Sequence, residues 1–268
     1  MNNHHHMHTP AISIKGKRIV LTGAAGFLGT HMTRTLIQEG ATLHLLDRLP
    51  KQEALAHFKE NDIAIDESSY YECDITDPDA LKQTAAAIEK NHGGIDVLIN
   101  NAALNPKVEN TKESGTFETY PLEKWEEELR VNLTGTMLTC KAMRPLMQKG
   151  SIINIASIYA LVGPDQRIYP KGFEKPASYG ASKAGVISLT RHLAGLWGKD
   201  GIRVNAVVYG GFENEQDPKF VQRYSERVPL GRMAKQEEAT GIIIFLASDA
   251  ASYATGGIFT IDGGWTAW

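Results

Sequence analysis

The chain has 268 residues, a formal net charge of −3, 42% hydrophobic and 22% charged residues. That balance suits one α/β domain and argues against nucleic acid or an anionic membrane as the main partner. No apolar run approaches the roughly 20 residues that span a bilayer, and without the apolar core of a signal peptide the expected compartment is the cytoplasm.

Residues 1–14 read as a tag-like lead-in, since residues 1–8 hold four of the nine histidines; they are set apart from the site. The rest, 15–268, reads as one domain. A first strand, Arg18 to Thr22, enters the turn Thr22-Gly23-Ala24-Ala25-Gly26-Phe27-Leu28-Gly29 and then a helix from Phe27 to Glu39 that stops at Gly40. Glycines at 23, 26 and 29 let the backbone turn tightly and approach a pyrophosphate. Phe27 and Leu28 open a helix whose N-terminus supplies amides and partial positive charge.

A second strand, Thr42 to Leu46, ends at Asp47. A carboxylate there accepts hydrogen bonds from ribose hydroxyls and repels a 2′-phosphate, so NAD is the expected cofactor. Arg48, a guanidinium beside the same pocket, leaves NADP as the alternative. Tyr70 to Cys73 is a third strand, followed by Asp74 and Ile75, and a helix from Asp77 to Asn91 leads to a fourth strand, Ile95 to Asn100. The βα alternation implies parallel strands with right-handed crossovers. Small residues after the strand, Asn101-Ala102-Ala103, allow a ligand to approach the backbone closely.

Residues 105–119 form a polar loop at the carboxyl edge of the sheet. A long helix follows from Pro121 to Gln148, with Asn132 inside it and Pro145 bending its last turn. Ile152 to Ala156 is the fifth strand and Ser157 closes it, placed to donate to a carbonyl or alkoxide oxygen. Residues 163–176 make a second loop, basic through Arg167, Lys171 and Lys175, which suits either a substrate carboxylate or phosphate, or plain solvation. A helix from Ala177 to Gly198 precedes the sixth strand, Ile202 to Val208, and the turn Tyr209-Gly210-Gly211-Phe212. Residues 213–232 read as a mobile lid, Gln236 to Ser248 as the last helix, and 256–265 as the seventh strand with its exit turn. Cys73 and Cys140 fall in buried segments and outside metal-ligand spacing, so neither a disulfide framework nor a metal site is expected.

The chemistry centres on Tyr179-Gly180-Ala181-Ser182-Lys183. A tyrosine and a lysine four apart share a helix face. A free phenol, with a pKa near ~10, is a poor base at neutral pH, and an ammonium at ~4 Å in an effective dielectric of about 20 favours its anion by roughly 4 kcal/mol. Such a base beside a carbinol is what hydride exchange with nicotinamide requires.

Ser157, Tyr179 and Lys183, with the glycine turn and Asn100-Asn101-Ala102-Ala103, resemble the short-chain dehydrogenase/reductase family from about Lys15 to the C-terminus. The resemblance implies a Rossmann-type, doubly wound, seven-stranded parallel sheet with helices on both faces. It also implies that Asn132 disturbs its helix to hold a water serving Lys183, and that Asp74 meets the adenine. Asn101, Ala102 and Ala103 would lie along the adenosine ribose, and Gly210 and Phe212 near the nicotinamide. A homotetramer, or a homodimer, built on the helices starting near Pro121 and Ala177 is implied as well.

Three features depart from the family pattern. The glycine spacing is that of longer sugar-nucleotide members, the Ser157 to Tyr179 interval is long, and Tyr209 stands where relatives have proline. A long interval of this kind is found in bacterial members acting on sugars, including acidic nine-carbon sugars. The expected activity is interconversion of a secondary alcohol and a ketone on a small hydroxylated, possibly acidic sugar-like substrate. The alternatives are a dinucleotide-binding or scaffold protein with reduced catalysis, and a sugar epimerase or dehydratase.

Overall fold

A computed structural model describes residues 12–105 and 116–268. The histidine-rich stretch at 1–8 and most of the 105–119 loop lie outside the described residues. Seven parallel strands form one sheet: β1 (Arg18–Thr22), β2 (Thr42–Asp47), β3 (Tyr70–Glu72), β4 (Val97–Asn100), β5 (Gly150–Ser157), β6 (Ile202–Tyr209) and β7 (Ile258–Ile261). Their spatial order is β3-β2-β1-β4-β5-β6-β7. The order reverses between β1 and β4, and open α/β sheets bind ligands in the crevice at such a switch point.

The strands are buried on both sides because helices cover both faces, which is why they read as continuous apolar runs. On one face Ile19 and Leu21 of β1, Leu45 of β2, Ile99 of β4 and Ile153 of β5 pack with Met32 and Leu36 of α1 (Phe27–Gln38) and Ile243 and Leu246 of α8 (Thr240–Ala247). On the other, Val20, Leu98, Ile152 and Val204 meet α3 (Pro78–His92), α5 (Thr136–Met143) and α6 (Ala177–Trp197) through Leu81, Ile88, Met143 and Leu193. Cys73 and Cys140 are buried free thiols.

The expected strands and their order of appearance hold, with ends shifted by a residue or two. Among the described residues two α-helices have no counterpart in the sequence reading, the first being α2 (Lys51–Glu60), which buries only Ala54 and Phe58, a single i, i+4 pair too sparse to show as periodicity. The long helix expected from Pro121 to Gln148 is divided. It runs as α4 (Leu122–Leu129), a π-helical stretch Arg130–Gly135, α5 and a 3₁₀ turn Arg144–Leu146 that holds Pro145. The 213–232 segment contains α7 (Pro218–Ser225), whose N-cap Asp217 accepts from Lys219 N and Phe220 N. Regular structure therefore occupies part of what reads as a lid.

His44, in the middle of β2, is fully buried, and neither ring nitrogen has a hydrogen-bond partner. Burial, and then the charges of His92 and Arg18, bring its pKa down to about 4. The unfolded chain accepts a proton near pH ~6.5, so stability present above that pH is lost as pH falls toward the folded value, by an amount on the order of 2 kcal/mol. Urea unfolding of the parent and of His44→Val at neutral pH and near pH 4.5 tests this: the variant is expected to lose clearly less stability across the interval.

Candidate active site

At the switch point the carboxyl ends of the strands open into a cleft of about 1190 Å³. The glycine turn forms one wall, and its tightness is steric in origin. Gly23 has φ +65°, and a Cβ there would lie 2.7 Å from Ala102 Cα; a Cβ on Gly29 would lie 2.0 Å from the Gly23 carbonyl oxygen. Neither position accommodates a side chain without moving the turn.

Thr22 Oγ1 accepts from the Asn101 and Ala102 amides at 3.0 and 3.1 Å, and Asn101 Nδ2 donates to the Thr22 and Gly23 carbonyls, each at 3.1 Å. The end of β4 is thereby locked to the turn. Asp47 accepts from Ala25 N at 2.9 Å and Leu49 N at 3.1 Å, which fixes its carboxylate beside the glycines. A Cβ-free cradle at a helix N-terminus, with a carboxylate at the end of β2, fits a dinucleotide. Gly23, Gly26, Phe27, Leu28, Asp47, Arg48, Asp74, Ile75, Asn101, Ala102, Ala103, Gly210 and Phe212 all line the cleft. Gly29 does not: it is buried behind the turn.

Farther along the same cleft, Ser157 at the end of β5 meets Tyr179 and Lys183 from α6. The Ser157 hydroxyl faces the Tyr179 phenol closely enough to favour its anion, and it accepts from Tyr159 N at 3.3 Å. Lys183 Nζ donates to the Ile155 carbonyl at 2.9 Å and stands 6.0 Å from the Tyr179 ring centroid. Burial dominates both groups. It pushes the Tyr179 phenol up to about 12, against the pull of Ser157, and brings Lys183 down to about 8. Burial is the largest influence on the phenol, and the Lys183 ammonium is engaged with the Ile155 carbonyl.

Asn132 is fully buried in the π-helical stretch but does not line the cleft. Its side chain accepts from Leu104 N at 2.7 Å and donates to the Leu104 carbonyl at 3.0 Å and to Ser182 Oγ at 3.2 Å. Ser182 in turn donates to the Tyr179 carbonyl at 2.8 Å. Asn132 therefore reaches Tyr179 through Ser182, and it clamps the chain leaving β4.

The 163–176 segment contributes Tyr169 and Lys175 to the lining of the cleft. Ile168, Tyr169 and Phe173 are buried in a third apolar cluster with Phe220, Tyr224, Met233 and Trp265. Arg167 is turned away: its guanidinium pairs with Asp165 at 2.8 Å and is 78% exposed. Asp165 also holds Arg227 at 2.9 Å, joining this segment to the chain beyond α7. Lys175, the third basic residue, is buried and lines the cleft.

Tyr209 sits in the sheet as the last residue of β6, opposite Ser157 and Ile261. Its hydroxyl donates to the Ala239 carbonyl, and from the same 3₁₀ turn (Gln236–Ala239) Gln236 Nε2 donates to the Phe27 carbonyl at 2.7 Å. The residue that replaces proline is thus packed and bonded. Sequence reasoning passed over Glu128 and Tyr159. Glu128 is a buried carboxylate in α4 that accepts from the Tyr120 hydroxyl and, at 2.8 Å, from Ser178 Oγ. Tyr159 shares a 2.6 Å hydrogen bond with the Tyr169 hydroxyl. In sequence Glu128 is one of three consecutive glutamates, and only its place on the inward face of the helix separates it from the others.

The family described as Enoyl-(Acyl carrier protein) reductase matches residues 23–266. A 3-oxoacyl-(acyl-carrier-protein) reductase of Thermotoga maritima is 35% identical over 259 residues, covering 94% of this chain and 98% of that protein. The chain belongs to the short-chain dehydrogenase/reductase family. Within this family, the D-arabinitol 2-dehydrogenase (ribulose-forming) of Candida tropicalis is 32% identical, over 97% of this chain and 95% of its own. The crystal structure of a short chain dehydrogenase from Leptospira borgpetersenii serovar Hardjo-bovis with bound NAD+ superposes with a TM-score of 0.83 at 30% identity, covering 99% of this chain and all of that one. The protein is an oxidoreductase with the Rossmann-type fold of its short-chain dehydrogenase/reductase relatives.

The cradle geometry yields a direct expectation. Gly29→Ala drives a methyl group into the Gly23 carbonyl and the Ala24 backbone, and is expected to weaken NADH binding at least about tenfold, a loss of about 1.4 kcal/mol, in a fluorescence titration. The far-UV circular dichroism should be unchanged.

Proposed function

We propose that the chain is an NAD(H)-dependent dehydrogenase or reductase that interconverts a secondary alcohol and a ketone on a small hydroxylated, sugar-like molecule. The observation that carries this reading is the meeting of Ser157, Tyr179 and Lys183 in the same cleft as the glycine turn. When bound, the nicotinamide ring gives or accepts the hydride. Tyr179 takes the carbinol proton or returns it to the nascent alkoxide, and Ser157 positions the reacting oxygen. Tyr179 loses its proton more readily beside a cationic ring, which adds to Lys183 the charge that burial of the phenol demands. Lys183 also serves the nicotinamide ribose, while Asn132 steadies the β4 exit and α6 through Leu104 and Ser182.

Asp47 supports NAD as the cofactor, because its carboxylate stands where a 2′-phosphate would need neutral or positive surroundings. Arg48, which lines the same cleft, favours NADP. Exposed Leu122, Met137 and Leu196 on α4, α5 and α6 support a homotetramer or homodimer through these helices. The free thiols of Cys73 and Cys140 support a reducing cytoplasm.

Tyr179→Phe is expected to lower turnover at least a thousandfold, about 4 kcal/mol, while NADH affinity stays within about threefold. An absorbance assay with an alcohol and ketone panel checks this, and retained turnover would remove Tyr179 from the chemistry. A parent chain that binds NADH yet turns over no member of the panel would instead be the dinucleotide-binding protein of the alternative reading. Asp47→Ser is expected to lower the ratio of kcat/KM for NAD over NADP at least about tenfold. An unchanged ratio would show that coenzyme choice lies elsewhere.

A further inference from the structure

Lys175 stands at the end of the 163–176 segment, just before Pro176, the N-cap of α6. It is only 9% exposed, yet it lines the substrate end of the cleft. Its ammonium lies 4.6 Å from the Tyr179 ring centroid and donates to Asn105 Oδ1 at 2.6 Å. Taking an ammonium out of water is unfavourable by several kcal/mol unless other groups compensate, and Glu128 supplies part of that compensation through its field. Burial brings the Lys175 pKa down to about 8, so the side chain remains a cation at neutral pH.

The same cleft is lined by several aromatic side chains. Tyr159 and Tyr169 use their hydroxyls on each other, and the Tyr224 hydroxyl accepts from Gly211 N at 2.5 Å, while its ring stacks on Trp265 with centroids 4.5 Å apart. Phe220 and Met233 complete the wall. With these polar heads committed, the aromatic residues offer ring faces to a ligand body. Lys175 brings positive charge to the same end of the cleft as Tyr179.

We propose that Lys175 is the specificity-determining residue of this site: its ammonium receives the carboxylate of a hydroxy acid or keto acid whose reacting carbon lies against Tyr179 and Ser157. The proposal rests on the dehydrogenase reading for which end of the ligand reacts, and it narrows that reading to anionic substrates. The short reach from Lys175 to the Tyr179 ring places the carboxylate within a few bonds of the reacting carbinol.

The test is calorimetric titration of the NADH complex with two matched pairs: 3-hydroxybutyrate against 3-hydroxybutyramide, and D-gluconate against sorbitol. Parent, Lys175→Met, Lys175→Gln and Lys175→Arg chains are compared. In the parent, the acid of at least one pair is expected to bind about tenfold or more tightly than its neutral partner. That preference is expected to collapse in the Met and Gln variants and to survive in large part in the Arg variant. Equal binding of acid and neutral partner by the parent in both pairs overturns the proposal, as does an acid preference that persists in a folded Met or Gln variant, or an acid that does not bind measurably. Should both neutral variants fail to fold, Asn105→Ala decides in their place: it removes one group that orients the ammonium, so an unchanged acid preference overturns the proposal and one altered at least threefold supports it. Because the readout is binding, a chain without turnover would defeat the dehydrogenase reading, while the acid preference would still decide the role of Lys175. If NADH does not bind, the same titrations are made on the free protein.

Discussion

The structure depends on the joint burial of a phenol and an ammonium on one face of α6. Tyr179 and Lys183 are one helical turn apart, and both are withdrawn from water by the sheet end and the 163–176 segment. Burial favours the neutral form of each group, which is why the phenol rises and the ammonium falls. Their surroundings offset part of this: the Ile155 carbonyl holds the ammonium, and the Ser157 hydroxyl pulls the phenol back toward its anion. Titratable groups whose ordinary ionisation is opposed in this way gather at functional clefts.

Much of this was legible in the sequence because it is local. The glycine turn, Asp47 after β2, Ser157 at the end of β5 and the Tyr179–Lys183 pair each declare themselves within one element and its boundary. The alternation of apolar runs with amphipathic helices was enough for the sheet. What was hidden is tertiary. Helix α2 buries two residues and leaves almost no periodic trace. The widened turn at Arg130–Gly135 that divides α4 from α5 is marked by no proline, and only the family resemblance at Asn132 pointed to a disturbed helix there. The side chain of Asn132 carries its consequences to Leu104 and Ser182, contacts that spacing alone does not reveal.

The basic character of the 163–176 segment was visible, but its three cations have different fates. Arg167 answers Asp165 at the surface, Lys171 is exposed, and Lys175 is folded inward beneath aromatic residues. Composition reports the charge of a loop without saying where each charge goes. The deciding information is the burial of Ile168, Tyr169 and Phe173, which anchors the segment and turns Lys175 toward the cleft.

Tyr209 has a bearing on how the two halves of the cleft communicate. Its hydroxyl grips Ala239, and three residues earlier in that short turn Gln236 grips the backbone at Phe27, where α1 begins. A strut of two hydrogen bonds thus runs from the strand end nearest the reacting centre to the helix that faces the phosphates. The end of β6 and the start of α1, which lie on opposite sides of the cleft opening, are thereby held at a fixed spacing by a turn that belongs to neither.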